Sequence, residues 1–203
     1  MKKIIPFVCI LTLCAAAVFV VECSAEKAQL QDSIIRLHVI ANSDSAEDQA
    51  QKLRVRDAVL LYLEPMLQNV DSVEDAQARI LENLAQIEAI VVNFLQQEGT
   101  DMAVCVSLTD MSFDTRYYET FALPAGVYRS LRIELGEAKG QNWWCVAFPS
   151  LCLPGAGKSF ADVAAGAGFS EPLTDSLSGG NKYEVRFFVL DLLGKIENFF
   201  FNR

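Results

Sequence analysis

Histidine is nearly missing from this chain of 203 residues, His38 being the only one. That excludes metal centres built on several imidazoles and leaves a single candidate base for a Ser-His-Asp arrangement. Positive charge is also scarce: 17 Lys and Arg face 26 Asp and Glu, a formal net charge of −9. Such a balance argues against holding nucleic acid or anionic lipid through a general field. Aspartic-protease chemistry needs paired Asp-Thr/Ser-Gly loops, and Asp32-Ser33, Asp44-Ser45, Asp114-Thr115 and Asp175-Ser176 all lack the glycine. Pro154-Gly155-Ala156-Gly157-Lys158-Ser159 fails as a phosphate loop, because Cys152 stands where that pattern needs its first glycine. There is no internal repeat, and no motif calls for a cofactor.

What the chain does have begins at its N-terminus. Lys2 and Lys3 precede an 18-residue apolar run, Ile4 to Val21, interrupted only by Pro6 and Thr12. Cys23-Ser24-Ala25 then offers small residues where a signal peptidase reads, so residues 1–25 are expected to be a signal peptide cleaved after Ala25. The run is also long enough to span a bilayer, which keeps an uncleaved anchor as the alternative. Glu22 before Cys23 argues against a lipoprotein. Either way the rest of the chain is extracytoplasmic.

Removing residues 1–25 takes away Lys2, Lys3 and Glu22, leaving a net charge of −10 on about 178 residues, enough for one domain with a small appendage. Cys105, Cys145 and Cys152 remain. Two readings stay open in an oxidising compartment: a Cys145–Cys152 disulfide with Cys105 a buried strand thiol, or three small core residues.

Between Ile34 and Val39, Ile35, Leu37 and Val39 alternate with Arg36 and His38, the pattern of a strand with one buried face. Asn42-Ser43-Asp44-Ser45 are cap and turn formers, and Asp44 with Glu47 fits a capping arrangement, so a helix is expected from near Ser45. Leu53, Leu60 and Leu67, widened by Val59, Leu63 and Met66, give it one packing face, and Pro65 should kink or end it. A second helix is expected from Asp71 or Ser72 to Gly99, its seam formed by Val73, Ile80, Ile87 and Phe94. A short loop between the two predicts an antiparallel pair.

Strands follow at Met102 to Leu108, Phe121 to Leu123, Val127 to Leu135 and Trp143 to Phe148, with a reversal at Pro124-Ala125-Gly126 and a loop from Gly136 to Gly140. Consecutive antiparallel pairing is the simplest topology. The expected class is therefore α+β, an antiparallel-rich sheet covered by an antiparallel helix pair and preceded by the signal peptide. Residues 26–153 form the main domain in this reading. Residues 154–181, rich in Gly, Ala and Ser, read as a loop. Residues 182–203 read as a strand at Tyr183 to Val189 and an apolar segment, Leu190 to Phe201, that needs a partner.

Ser43, Asp44, Ser45 and Asp48 lie near His38, but their density is already explained by helix capping. Trp143 and Trp144 should point to opposite faces of a strand, one indole buried and the other available to a partner or a sugar.

The run Arg36-Leu37-His38-Val39-Ile40-Ala41-Asn42-Ser43-Asp44-Ser45, then Asp48-Gln49-Ala50 and Lys52 to Val59, then Leu123-Pro124-Ala125-Gly126-Val127-Tyr128 and Asn142-Trp143-Trp144-Cys145-Val146, resembles the stage II sporulation protein R family. The resemblance covers about Ile34 to Leu153. It departs where Ser150 follows Phe148-Pro149 in place of a second proline. It implies a non-enzymatic signal exported from the forespore into the intermembrane space. There the signal activates a membrane-embedded aspartic protease, stage II sporulation protein GA, which processes the precursor of sigma factor E. In this picture Asn42, Ser43, Asp44, Ser45, Asp48, Trp143 and Trp144 are candidates for receptor contact, and membrane contact runs only through the signal segment or the receptor. An envelope hydrolase using His38 with Ser43 or Ser45, and a wall-binding module using a tryptophan, are the competing readings.

Overall fold

The computed structural model describes residues 4–149, 160–178 and 184–203. Two compact units interleave along the chain: one comprises residues 1–31, 112–127 and 160–203, the other residues 32–111 and 128–159. The class is mixed α and β, with an N-terminal apolar helix compatible with a signal peptide.

In the second unit, β1 (Ile35–Ile40) leads into α2 (Ala46–Leu67), α3 (Val73–Glu82) and α4 (Leu84–Gln97). Strands β2 (Val104–Phe113), β5 (Gly126–Leu135) and β6 (Asn142–Phe148) join β1 in a four-stranded sheet of order β2-β5-β1-β6. Consecutive antiparallel pairing is therefore overturned. β1 inserts between β5 and β6, parallel to the first and antiparallel to the second. The β2–β5 pair is antiparallel, since Asp110 meets Arg129 while the Ala103 carbonyl meets the Gly136 N–H. Two of the three pairings are antiparallel, which keeps the sheet antiparallel-rich.

One face of this sheet, with Ile35, Leu37, Val39, Leu131, Ile133, Cys145 and Ala147, shares a buried cluster with Val55, Val59 and Leu63 of α2, Ile80 of α3 and Ile87, Val91 and Leu95 of α4. The α2 seam is shifted from the expected heptad: it runs through Val55, Val59, Leu63 and Leu67, and Leu53 is exposed. Gln51 bonds Thr100, Arg54 pairs with Glu98 and Tyr62 bonds Asn83, so α2 and α4 run antiparallel. Pro65 falls in the last turn of α2, where it ends the helix rather than bending it, and Asn69 turns left-handed at φ 61°. The single second helix expected up to Gly99 is two helices, broken at Asn83.

β1 departs from the one-buried-face expectation. All six residues are buried, including Arg36 and His38. Arg36 lies over the Tyr128 ring at 5.2 Å and His38 stacks on Trp144 at 5.7 Å, so aromatic rings cover both buried polar side chains. Cys105 also differs from expectation: it is an exposed free thiol, on the strand face opposite Val104 and Val106.

In the other unit, α1 (Ile4–Asp32) is one helix long and apolar enough to cross a membrane. β3 (Arg116–Tyr117) and β4 (Ala122–Leu123) form a small antiparallel pair. The Gly/Ala-rich stretch, read as a loop, contains α5 (Phe160–Gly166) and α6 (Glu171–Leu177), with Phe160, Ala164, Leu173 and Leu177 buried. The strand expected at Tyr183 to Val189 is also overturned, because α7 (Glu184–Phe201) begins at Glu184 and is helical throughout.

Helix α7 is seated against the Leu123-Pro124-Ala125-Gly126-Val127 turn. The Ala125 N–H donates to Asp191 at 2.9 Å and the Val127 N–H to Glu197 at 3.0 Å. Lys27 and Gln31 of α1 converge on the same Glu197 carboxylate. Hydrogen bonds from these donors outweigh burial and hold both carboxyls below their ordinary range. Gly194 makes the approach feasible, since a Cβ there would lie 1.6 Å from the Ala125 carbonyl oxygen.

Candidate functional site

The elbow after β1 owes its shape to side chains that bond main chain. Ser45 is the helix cap: its hydroxyl accepts the Asp48 N–H at 3.1 Å, so the cap lies one residue later than the Asp44 expected from spacing. The Asp48 carboxylate accepts from the Ser43 hydroxyl at 2.5 Å and from Asn42 Nδ2 at 2.9 Å. These hydrogen bonds, the Ser43 bond first, hold the Asp48 carboxyl below its ordinary value. The helix N-terminus favours the same charged form.

Facing the elbow is the loop of residues 136–141. Glu137 N–H donates to Asn42 Oδ1 at 3.0 Å and Gln141 N–H to Asp44 Oδ1 at 2.7 Å. Lys139 and Gly140 donate their N–H groups to the carbonyls of Asn42 and Ala41. Two close approaches require glycine: a Cβ on Gly136 would meet the Asn42 side chain at 2.2 Å, and one on Gly140 the Ser43 carbonyl oxygen at 2.2 Å. Lys52, buried in the first turns of α2, spans the two segments by donating to Gln49 Oε1 at 2.6 Å and to the Gln141 carbonyl at 3.0 Å. Burial lowers its pKa from the ordinary lysine value.

Four of the five elbow candidates are thus brought together with the 136–141 loop, and Ser45 starts α2 beside them. Asn42, Ser43 and Asp48 hydrogen-bond within the elbow, and what it offers a partner is its shape and the exposed residues Asp44 to Glu47. The loop was expected from Gly136 to Gly140; its packing against the elbow was not, because no local signal joins segments so far apart in the chain.

The tryptophans sit on opposite sheet faces, Trp143 opposite Val39 and Trp144 opposite His38. The expected division into one buried and one available indole does not hold, for both are half-buried. Arg56 lies over the Trp143 ring at 4.4 Å, and His38 covers one face of Trp144. His38 is thus packed within the sheet, whereas Ser43 and Ser45 are bonded in the elbow. Cys145 is disulfide-bonded and buried; its expected partner Cys152, like the Pro154-to-Ser159 stretch, lies outside the described residues. Among the described residues no cluster of three or more His, Cys, Asp or Glu could hold a metal ion.

A family model described as Stage II sporulation protein R (spore_II_R) matches residues 31–158. The chain is 39% identical over 123 residues to a protein named Stage II sporulation protein R from Bacillus subtilis (strain 168). That match covers 61% of this chain and 55% of the relative, so it spans little more than half the relative's length. No solved structure matches the chain.

Proposed function

The chain belongs to the stage II sporulation protein R family, and from that premise we propose that it is an exported, non-enzymatic signal of endospore formation. It leaves the forespore, enters the intermembrane space and activates stage II sporulation protein GA, the membrane-embedded aspartic protease that processes the precursor of sigma factor E. The observation that carries this reading is the family match over residues 31–158, which contains the elbow, its facing loop and the tryptophan strand. The apolar α1 supports export.

The geometry supports a binding surface better than a hydrolase. The Ser43 hydroxyl donates its hydrogen bond to Asp48, Ser45 caps α2, and the His38 ring is stacked on Trp144 within the sheet. An activated serine needs its hydroxyl bonded to the base. In our reading the receptor meets the braced elbow, Asn42 to Asp48, and the edge strand β6 at Trp144.

Co-expression of the chain with the protease and the sigma factor precursor tests this. Shortening of the precursor only when the chain is present is expected, and an unchanged precursor contradicts it. Trp144→Ala in folded, exported protein is expected to reduce shortening; normal shortening removes Trp144 from the contact.

A further inference from the structure

Helix α7 turns large apolar side chains outward. Arg186 and Asp191 have side chains only 14% and 12% exposed, and of its charged residues Lys195 reaches solvent at 60%, whereas Phe188 and Phe199 are 64% and 58% exposed. The exposed residues Val185, Phe188, Leu192, Ile196 and Phe199 recur at helical spacing and form one apolar ridge, flanked by Phe200. A helix in water turns such a stripe inward and its charges outward. Here the inward side is fully committed: Asp191 and Glu197 hold the Ala125 and Val127 amides, and Gly194 fits against the Ala125 carbonyl. The ridge therefore cannot rotate inward without breaking that seat.

The neighbour of α7 indicates what the ridge meets. Arg186 pairs with Glu26 and lies over the Phe19 ring at 5.2 Å. This sets the first turn of α7 beside residues 19–26 of α1, where the apolar run gives way to Glu22. Apart from Phe19 the run is exposed, and it has the length and hydropathy of a membrane span. In a bilayer, that transition marks the interface. Apolar side chains with Phe at their end, free of net positive charge, suit insertion into acyl chains rather than capture by anionic headgroups.

We propose that the ridge Val185, Phe188, Leu192, Ile196 and Phe199 is a lipid-facing surface, by which α7 lies against the bilayer next to α1. The proposal rests on α1 staying in place as an uncleaved anchor and is otherwise independent of the signalling function.

The test uses the full chain reconstituted in phosphatidylcholine vesicles that carry a phosphatidylcholine with a photoreactive diazirine on its acyl chain. After illumination and trypsin digestion, mass spectrometry locates the label. Label on the α1 peptide Ile4–Lys27 is the internal standard for insertion. Peptide Asp57–Arg79, which holds the exposed Leu61, sets the background for an apolar side chain in water. The proposal expects label on Phe187–Lys195 and Ile196–Arg203 at least several-fold above that background. It also expects a several-fold loss of that label in Phe188→Ser/Ile196→Ser, with α1 labelling unchanged. Both substituted residues are exposed, so the core is untouched. Label on α1 with α7 peptides at background overturns the proposal in the unmodified chain, whether a second copy, a protein or water covers the ridge instead.

Discussion

The side-chain oxygen of Asn42 occupies the space that a Cβ on Gly136 would need, the two lying 2.2 Å apart if one were built. Gly136 also has φ 59°, in the left-handed region. Gly136→Ala is therefore expected to cost at least about 1–2 kcal/mol from the backbone alone, and more from displacing Asn42. Urea unfolding measures it. Asn42→Asp keeps the oxygen that receives Glu137 N–H but sets a second carboxylate beside Asp48, and should destabilise more at pH 7 than at pH 3.

Acid should loosen the elbow first. The Asp48 carboxyl is held below its ordinary value by hydrogen bonds from Ser43 and then Asn42. A lowered folded value means that its contribution is complete above the unfolded value and is lost as pH falls through the folded one. Ser43→Ala removes the largest cause, so the acid-unfolding midpoint should move to higher pH. Asp48→Asn should leave a flatter acid limb than the parent chain. Circular dichroism from about pH 5 to pH 2 follows both.

Seating of α7 depends on the missing side chain at Gly194. Gly194→Ala places a Cβ against the Ala125 carbonyl oxygen, and core overpacking of this kind costs about 1–3 kcal/mol. The Ala125 and Val127 amides should then exchange with deuterium faster, while amides of α2 keep their protection. Unchanged exchange at Ala125 and Val127 would contradict the seat.

Thiol chemistry separates the cysteines of the exported part. Cys105 is exposed and free, so maleimide should modify it in the native protein. Cys145 should resist until reduction. A non-reduced peptide map is expected to join Cys145 to Cys152.

Much of the elbow was legible because its signals are local. The β1 alternation, the run of cap formers after it and the apolar positions of α2 all act within one or two turns of chain. The sheet order was not, because the β1–β5 parallel pair joins residues about ninety positions apart and nothing local encodes it. Arg36 and His38 read as a solvent-facing row for the same reason: the rings of Tyr128 and Trp144 that cover them come from other strands. Composition misled at the far end. Ser170-Glu171-Pro172 is a helix start, with Ser170 accepting the Leu173 N–H, and it was hidden in a Gly/Ala-rich stretch. At residues 184–189 β-branched and aromatic residues suggest a strand, but contacts made by Asp191, Gly194 and Glu197 further along impose a helix.

The most direct test of the account is the precursor-processing assay with the chain delivered to one side of the membrane at a time. Stage II sporulation protein GA and the sigma factor precursor are co-expressed with the full chain or with a version lacking residues 1–25. Both versions should accumulate, but the precursor should be shortened only with the full, exported chain. Equal shortening with the version kept in the cytoplasm, or none with either, would contradict an extracytoplasmic activator.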